Sequence, residues 1–174
     1  MLKQKRGKKS KKAQGVFGMP FSMIFSILLI IFFIAAAFIA IRYFLNIQKC
    51  TQIAGFVDDF KNEINRAWNS QSSSYTYTSS LPSNIDYVCF INLTKNIHDA
   101  DPDWKDVYND VKFTRSKEEP NFVIYPLESA CDLGLIKLRH IRMPDRNPYC
   151  IVPEKGKISI KLEKTFEDPL VNIE

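Results

Sequence analysis

One unbroken apolar run and two hydrophobic periods divide this chain. From Phe21 to Ile41 no residue carries a charge, and fourteen of the twenty-one positions are Phe, Ile or Leu. About 20 such residues in a helix cross the hydrocarbon core of a bilayer. Each central Leu, Ile or Phe favours insertion by roughly 0.3–0.6 kcal/mol, so fourteen give about 4–8 kcal/mol. Only Ser22 and Ser26 oppose it with polar side chains. Arg42 and Tyr43 follow, a cation long enough to snorkel and an aromatic suited to the headgroup layer. The pattern predicts a transmembrane helix over 21–45.

Past the apolar run the period becomes helical. Ile47, Cys50, Ala54, Val57, Phe60, Ile64 and Ala67 recur at three- and four-residue steps, with Gln48, Lys49, Asp58, Asp59, Lys61, Asn62, Asn65 and Arg66 between them. Such a stripe is the mark of a helix that lies on a core. No Pro falls within 21–69, so one continuous helix is expected, about 70 Å long at ~1.5 Å per residue. Gly55 is its weak point, at about 1 kcal/mol against Ala. Trp68 is expected to pack where the helix meets the rest of the domain. The polar stretch Asn69–Ser74 ends the helix.

Beyond it the period falls to two. Tyr75–Thr78, Ile85–Ile91, Asn121–Tyr125, Leu135–Ile141 and Lys157–Glu163 read as strands. Ile85–Ile91 is apolar on both faces, whereas Lys157–Glu163 alternates with Ile158, Ile160 and Leu162 on one side. Residues 98–119 are polar and read as a long surface loop or a short helix around Val107 and Tyr108. The expected fold is α+β, with the long N-terminal helix packed on a mostly antiparallel β-sheet. The chain then divides into a basic tail or leader at 1–20, the transmembrane helix at 21–45 and an extracytoplasmic domain at 46–174. About 130 residues suffice for one modest core.

Charge fixes the expected orientation. Lys3, Lys5, Arg6, Lys8, Lys9, Lys11 and Lys12 precede the apolar run with no acid among them. Positive flanks stay in the cytoplasm, which places the N-terminus inside and residues 46–174 outside a single-pass cell-membrane protein. The block also attracts anionic lipid, by about 1 kcal/mol per cation near the surface. The whole-chain net charge of +5 is therefore misleading. Residues 46–174 hold sixteen Lys/Arg and nineteen acids, a net charge of −3, so no nucleic-acid surface is implied. Ala35-Ala36-Ala37 offers an A-x-A cleavage match, but the apolar run continues to Ile41, beyond the 7–15 residues typical of a secretory signal core.

A second processing possibility lies upstream. Lys11-Lys12-Ala13-Gln14-Gly15 resembles the class III, prepilin-type signal of archaeal pilins and related surface proteins. In that family a basic leader is cut after a small residue, often before Gln, and the apolar helix follows at once. Pro20 near the start of the helix is similar to that pattern too. The resemblance covers about the first forty residues and departs from the family at its fifth mature position, where Gly18 replaces the usual acid. It implies cleavage between Ala13 and Gln14 and a homo-oligomer or filament built through the apolar helix. The other reading is an uncleaved signal anchor. Pairs of small residues, Ser22 with Ser26 and Ala36 with Ala40, are spaced as helix–helix contacts in membranes are.

Candidate chemistry is sparse. Cys50, Cys89, Cys131 and Cys150 all follow the apolar run, and an even count in an exported domain points to two disulfides. Four cysteines allow three pairings. Cys131 with Cys150 brackets a proline-containing loop, which leaves Cys50 with Cys89 to tie the helix to the sheet. No C-x₂-C spacing supports zinc. Asn92-Leu93-Thr94 is an N-glycosylation sequon. Asp99, Asp101, Asp103 and Asp106 alternate as in a calcium loop, but Trp104 and Asp110 occupy the places where that loop needs Gly and Glu. The two histidines, His98 and His140, belong to no catalytic motif. The expectation is a structural or interaction protein, not an enzyme, with membrane lipid as a partner and no metal or cofactor.

Overall fold

The computed structural model describes residues 18–98, 101–114 and 119–174. The basic block at 3–12 and the Ala13–Gln14 bond lie outside the described residues. The chain divides into two compact units between Leu45 and Asn46.

Helix α1 runs Gly18–Asn69 without a break and so contributes to both units. In the first unit every side chain from Phe21 to Leu45 is exposed. Residues this apolar normally lie inside a protein. This stretch is long and apolar enough to cross a membrane.

The second unit is α+β, as the periodicity predicts. It contains β1 (Ser73–Ser80), β2 (Tyr87–Phe90), α2 (Pro102–Phe113), β3 (Phe122–Tyr125), a 3₁₀ turn (Leu127–Ser129), β4 (Leu135–Ile136), β5 (Ile141–Arg142), β6 (Tyr149–Ile151), β7 (Lys157–Lys164) and β8 (Val171–Ile173). The strands form two four-stranded sheets, ordered β1-β7-β8-β5 and β4-β3-β2-β6. All pairings are antiparallel except β5 with β8.

The outer part of α1 is the centre of the main core. Ile53, Phe56, Val57, Phe60, Ile64 and Ala67 are buried together with residues of both sheets. Phe60 is fully buried, with the rings of Phe122 at 5.4 Å, Tyr77 at 5.5 Å, Phe56 at 5.9 Å and Phe90 at 6.2 Å. The expected stripe needs two corrections. Ile47 is exposed, and Ile53 and Phe56 join the buried face. The face therefore begins at Ile53, about two turns later than expected.

Two-sided burial in β2 and β3 has a direct cause. Val88, Phe90, Phe122 and Ile124 face the α1 core. Cys89, Ile91 and Val123 face the other way, where Val107, Tyr108 and Val111 of α2 cover them. The β4-β3-β2-β6 sheet is thus covered by helix on both sides. The other sheet buries one face: Ile158, Ile160 and Leu162 point inward, and the residues between them are exposed or half-buried.

The Leu135–Ile141 run is not one strand. β4 belongs to one sheet and β5 to the other. Between them Leu138 is buried, and the Asn121 side chain holds its backbone at two points: Leu138 N donates to Oδ1 at 2.6 Å, and Nδ2 donates to Leu138 O at 2.9 Å. His140 then takes a left-handed backbone, φ +64°, which turns the chain into the second sheet. Of the two expectations for the polar region after His98, a long loop or a short helix around Val107 and Tyr108, the structure has the helix, α2, at twelve residues. Asp101 caps it by accepting from Asp103 N at 3.1 Å, and Pro102 stands at its first position, where a missing N–H costs nothing. β8 carries too few residues to show a period.

Candidate functional site

The features singled out in the sequence lie in separate places. The apolar segment is the first. From Phe21 to Leu45 it offers hydrophobic side chains all round the helix, an arrangement suited to hydrocarbon and not to a single docking face. Ser26 Oγ donates to Ser22 O at 2.9 Å, one turn back, so that hydroxyl proton is satisfied within the helix.

The cysteines form two disulfides, but not the pairs their spacing suggested. Cys50 joins Cys131, and Cys89 joins Cys150. Cys89 and Cys150 are direct cross-strand partners in the β2–β6 ladder, with Cα atoms 4.0 Å apart. A bond between Cys131 and Cys150 would require Cys150 to leave that register. Cys131 instead sits just after the 3₁₀ turn in a left-handed backbone, φ +53°, within reach of the helix at Cys50. This bridge ties α1 to the 127–133 loop, near the inner end of the second unit's helix. Both bonds close long loops, separated by 81 and 61 residues, the kind that most restricts an unfolded chain.

Trp68 lies near the end of α1, as expected, but in a more specific arrangement. Its indole stacks on the His140 imidazole with centroids 3.7 Å apart, and Nε1 donates to Pro169 O at 3.1 Å. His140 is thereby a packing residue of the strand crossover. His98 lies elsewhere and exchanges backbone hydrogen bonds with Asn147, so the two histidines share no site.

The sequon occupies the turn after β2. Asn92 is half-buried, and its Oδ1 accepts from Thr94 N at 3.0 Å and from Thr94 Oγ1 at 2.6 Å. The turn is fixed by Asn147, a residue the sequence reading passed over. Asn147 is 4 % exposed. Its Nδ2 donates to the carbonyls of Asn92, Lys95 and Asn96 at 2.9, 3.2 and 3.1 Å, and its Oδ1 accepts from Asn92 N at 2.8 Å. A buried amide satisfied this fully replaces the water those backbone groups would otherwise need. Nothing in its local sequence marks it, because its partners lie 51 to 55 residues away.

In the acidic stretch the described role is that of Asp101. Asp99 lies outside the described residues. Asp101 caps α2, and Asp110 accepts from the Tyr125 hydroxyl at 2.9 Å, which raises that phenol's pKa. Among the described residues no three His, Cys, Asp or Glu side chains converge as a metal site requires. Tyr75 makes a similar contact: its hydroxyl donates to Glu63 Oε2 at 2.8 Å, and burial together with that carboxylate pushes its pKa up to about 12. Asp168 is held below the usual carboxylate range by hydrogen bonds from Thr165 and Asn172 and by Arg142 at 2.6 Å. The Asp168 contacts join the β7–β8 turn to β5.

No protein-family model matches the sequence, and comparison with curated proteins and with solved structures returns no similar chain.

Proposed function

We propose that the protein is a single-pass membrane protein. Its basic N-terminus is cytoplasmic, and its disulfide-bonded α+β domain is outside the cytoplasm, where it has a structural or interaction role and no catalytic one. The observation that carries this reading is the bare apolar helix from Phe21 to Leu45 followed by a domain with both cysteine pairs bonded. Exposed hydrocarbon on that scale is tolerated by lipid and not by water. Disulfides persist in oxidising compartments, and the basic flank sets the direction. The test is topological. A cysteine introduced at Ser10 should react with a membrane-impermeant maleimide only after the cells are opened, and external protease should remove the domain from intact cells. Labelling of that cysteine in intact cells would overturn the orientation.

A second reading shares the anchor and adds assembly. The leader resemblance at Lys11–Gly15 and the uninterrupted helix from Gly18 to Asn69 both suit a prepilin-like subunit, cut after Ala13 and polymerised through its apolar helix. Mass spectrometry of the mature N-terminus separates the two. Gln14 as first residue supports the subunit reading, and an intact Met1–Ala13 segment supports the anchor.

A further inference from the structure

We propose that the folded domain binds an oxyanion, a phosphate or carboxylate group, in a cationic pocket between the outer part of α1 and the β4–β5 crossover. The pocket has a volume of about 260 Å³ and is lined by Lys61, Ile64, Asn65, Lys137, Leu138 and Arg139. Three of these six are cations and none is an acid. Among the described residues no carboxylate lies within ion-pairing distance of Lys61, Lys137 or Arg139. Most described lysines of the domain also lack an ion pair; what sets these three apart is that they surround one concavity. Glu119 lines the neighbouring cleft, which Lys137 also borders.

The frame of this pocket is fixed by the fold. Lys61 and Asn65 are four residues apart on α1, so they share one face of the helix. The floor is apolar and closed, with Ile64 2 % and Leu138 4 % exposed. Lys137 and Arg139 flank buried Leu138 in the link between β4 and β5, and both are exposed. The Asn121 amide holds the Leu138 backbone at both its N–H and its C=O. On the far side His140 is stacked on Trp68. The backbone that carries Lys137 and Arg139 is therefore held on both sides, and Lys61 stands on a regular helix, which reduces the backbone ordering cost of binding.

Three like charges around one concavity repel one another and focus positive potential into it. An oxyanion removes that repulsion. Arg139 supplies a planar fork and the lysines supply point charges, while the Asn65 amide adds a neutral donor. The volume exceeds that of a single phosphate or carboxylate group and leaves room for part of the molecule that carries it. This inference concerns the domain from Asn46 onward and holds whichever reading of the N-terminus is correct.

The test uses the full chain in a non-ionic detergent, titrated with pyrophosphate at constant ionic strength in chloride and followed by calorimetry. A second arm presents the phosphate on a lipid headgroup, as phosphatidic acid in mixed micelles. Saturable binding in either arm, weakened at least tenfold by K137Q/R139Q and by Lys61→Gln, supports the site. The arm in which it is seen tells a free anion from a headgroup. Lys155→Gln, away from the pocket, should leave binding unchanged. The Lys61→Gln variant keeps the test decisive if the crossover variant unfolds, because it changes only a helix surface. No binding in either arm, or equal binding by both pocket variants and the parent, overturns the proposal.

Discussion

Two stretches of one helix show how the same backbone carries two arrangements of apolar side chains. From Phe21 to Ile41 α1 is apolar on every side, and none of its side chains is buried. From Asn46 to Asn69 the apolar residues collect on one face, and Ile53, Phe56, Phe60 and Ile64 become the centre of a core. Phe33 is 65 % exposed and Phe60 is 0 %, although both are phenylalanines in regular helix. The arrangement of the neighbours makes the difference. A stripe can be covered by two sheets on one side, whereas an all-round apolar surface needs cover on every side, from lipid or from other helices. Within the domain the outer stretch is a matter of packing, and nothing in the domain covers the inner one.

The largest effect that separates the two lies at those phenylalanines. Phe60→Ala removes a ring packed among four others and is expected to destabilise the domain by about 3–5 kcal/mol, transfer and cavity terms together. Phe33→Ala should leave the domain's unfolding unchanged. Denaturant unfolding of the detergent-solubilised chain measures both. Equal losses from the two variants would mean that the inner stretch also packs on protein, and the contrast would fail.

The converse experiment acts on the inner stretch alone. Ile31→Lys places a charge in the middle of the apolar run at a cost of roughly 2.5–3.5 kcal/mol to insertion. That is a large share of the roughly 4–8 kcal/mol estimated for the whole run. The expected outcome is a shift of the protein from the membrane pellet toward the carbonate-extractable fraction, with the domain's cooperative unfolding and both disulfides intact. An unshifted pellet fraction would argue against insertion as the role of this stretch.

Much of this organisation is legible in the sequence, for a physical reason. Periodicity reports which side of an element meets the core, so the outer part of α1, the alternation of β7 and the two-sided burial of β2 are visible in their side chains, whereas the burial of β3 on both faces is not. What periodicity cannot report is which distant elements meet. Cys89 and Cys150 lie in register across β2 and β6, and that register depends on the entire sheet. Once they pair, Cys50 is left for Cys131. Asn147 escaped notice for the same cause, since its four side-chain hydrogen bonds all reach a loop more than fifty residues away. The Leu135–Ile141 run misled because its apolar residues serve two sheets in turn. The left-handed backbone at His140 leaves no trace in hydrophobicity. The cationic pocket was legible only as scattered charges, because it needs α1 and the crossover brought together.

The smallest predicted effect tests how regular and how exposed the outer helix is. Gly55 stands in the interior of α1, two residues beyond Ile53 and on the opposite side from the core. A Cβ added there meets nothing within 4 Å. Gly55→Ala should therefore stabilise the domain by about 0.5–1 kcal/mol, through the unfolded chain's lost freedom and the better helix propensity. That corresponds to a rise of a few degrees in melting temperature for a domain of this size. The other described loop glycines predict the reverse sign. Gly156 holds φ +73° with Leu81 O 3.3 Å from the added Cβ, and at Gly134 the Leu127 Cδ2 atom would lie at 2.9 Å. Alanine at either should lower the melting temperature. If Gly55→Ala instead destabilises the protein, or stabilises the isolated chain while weakening a self-associated form, then the outward face at Gly55 is itself covered. The outer stretch would then resemble the inner one more than its stripe suggests, with apolar packing on one side and a close backbone approach on the other.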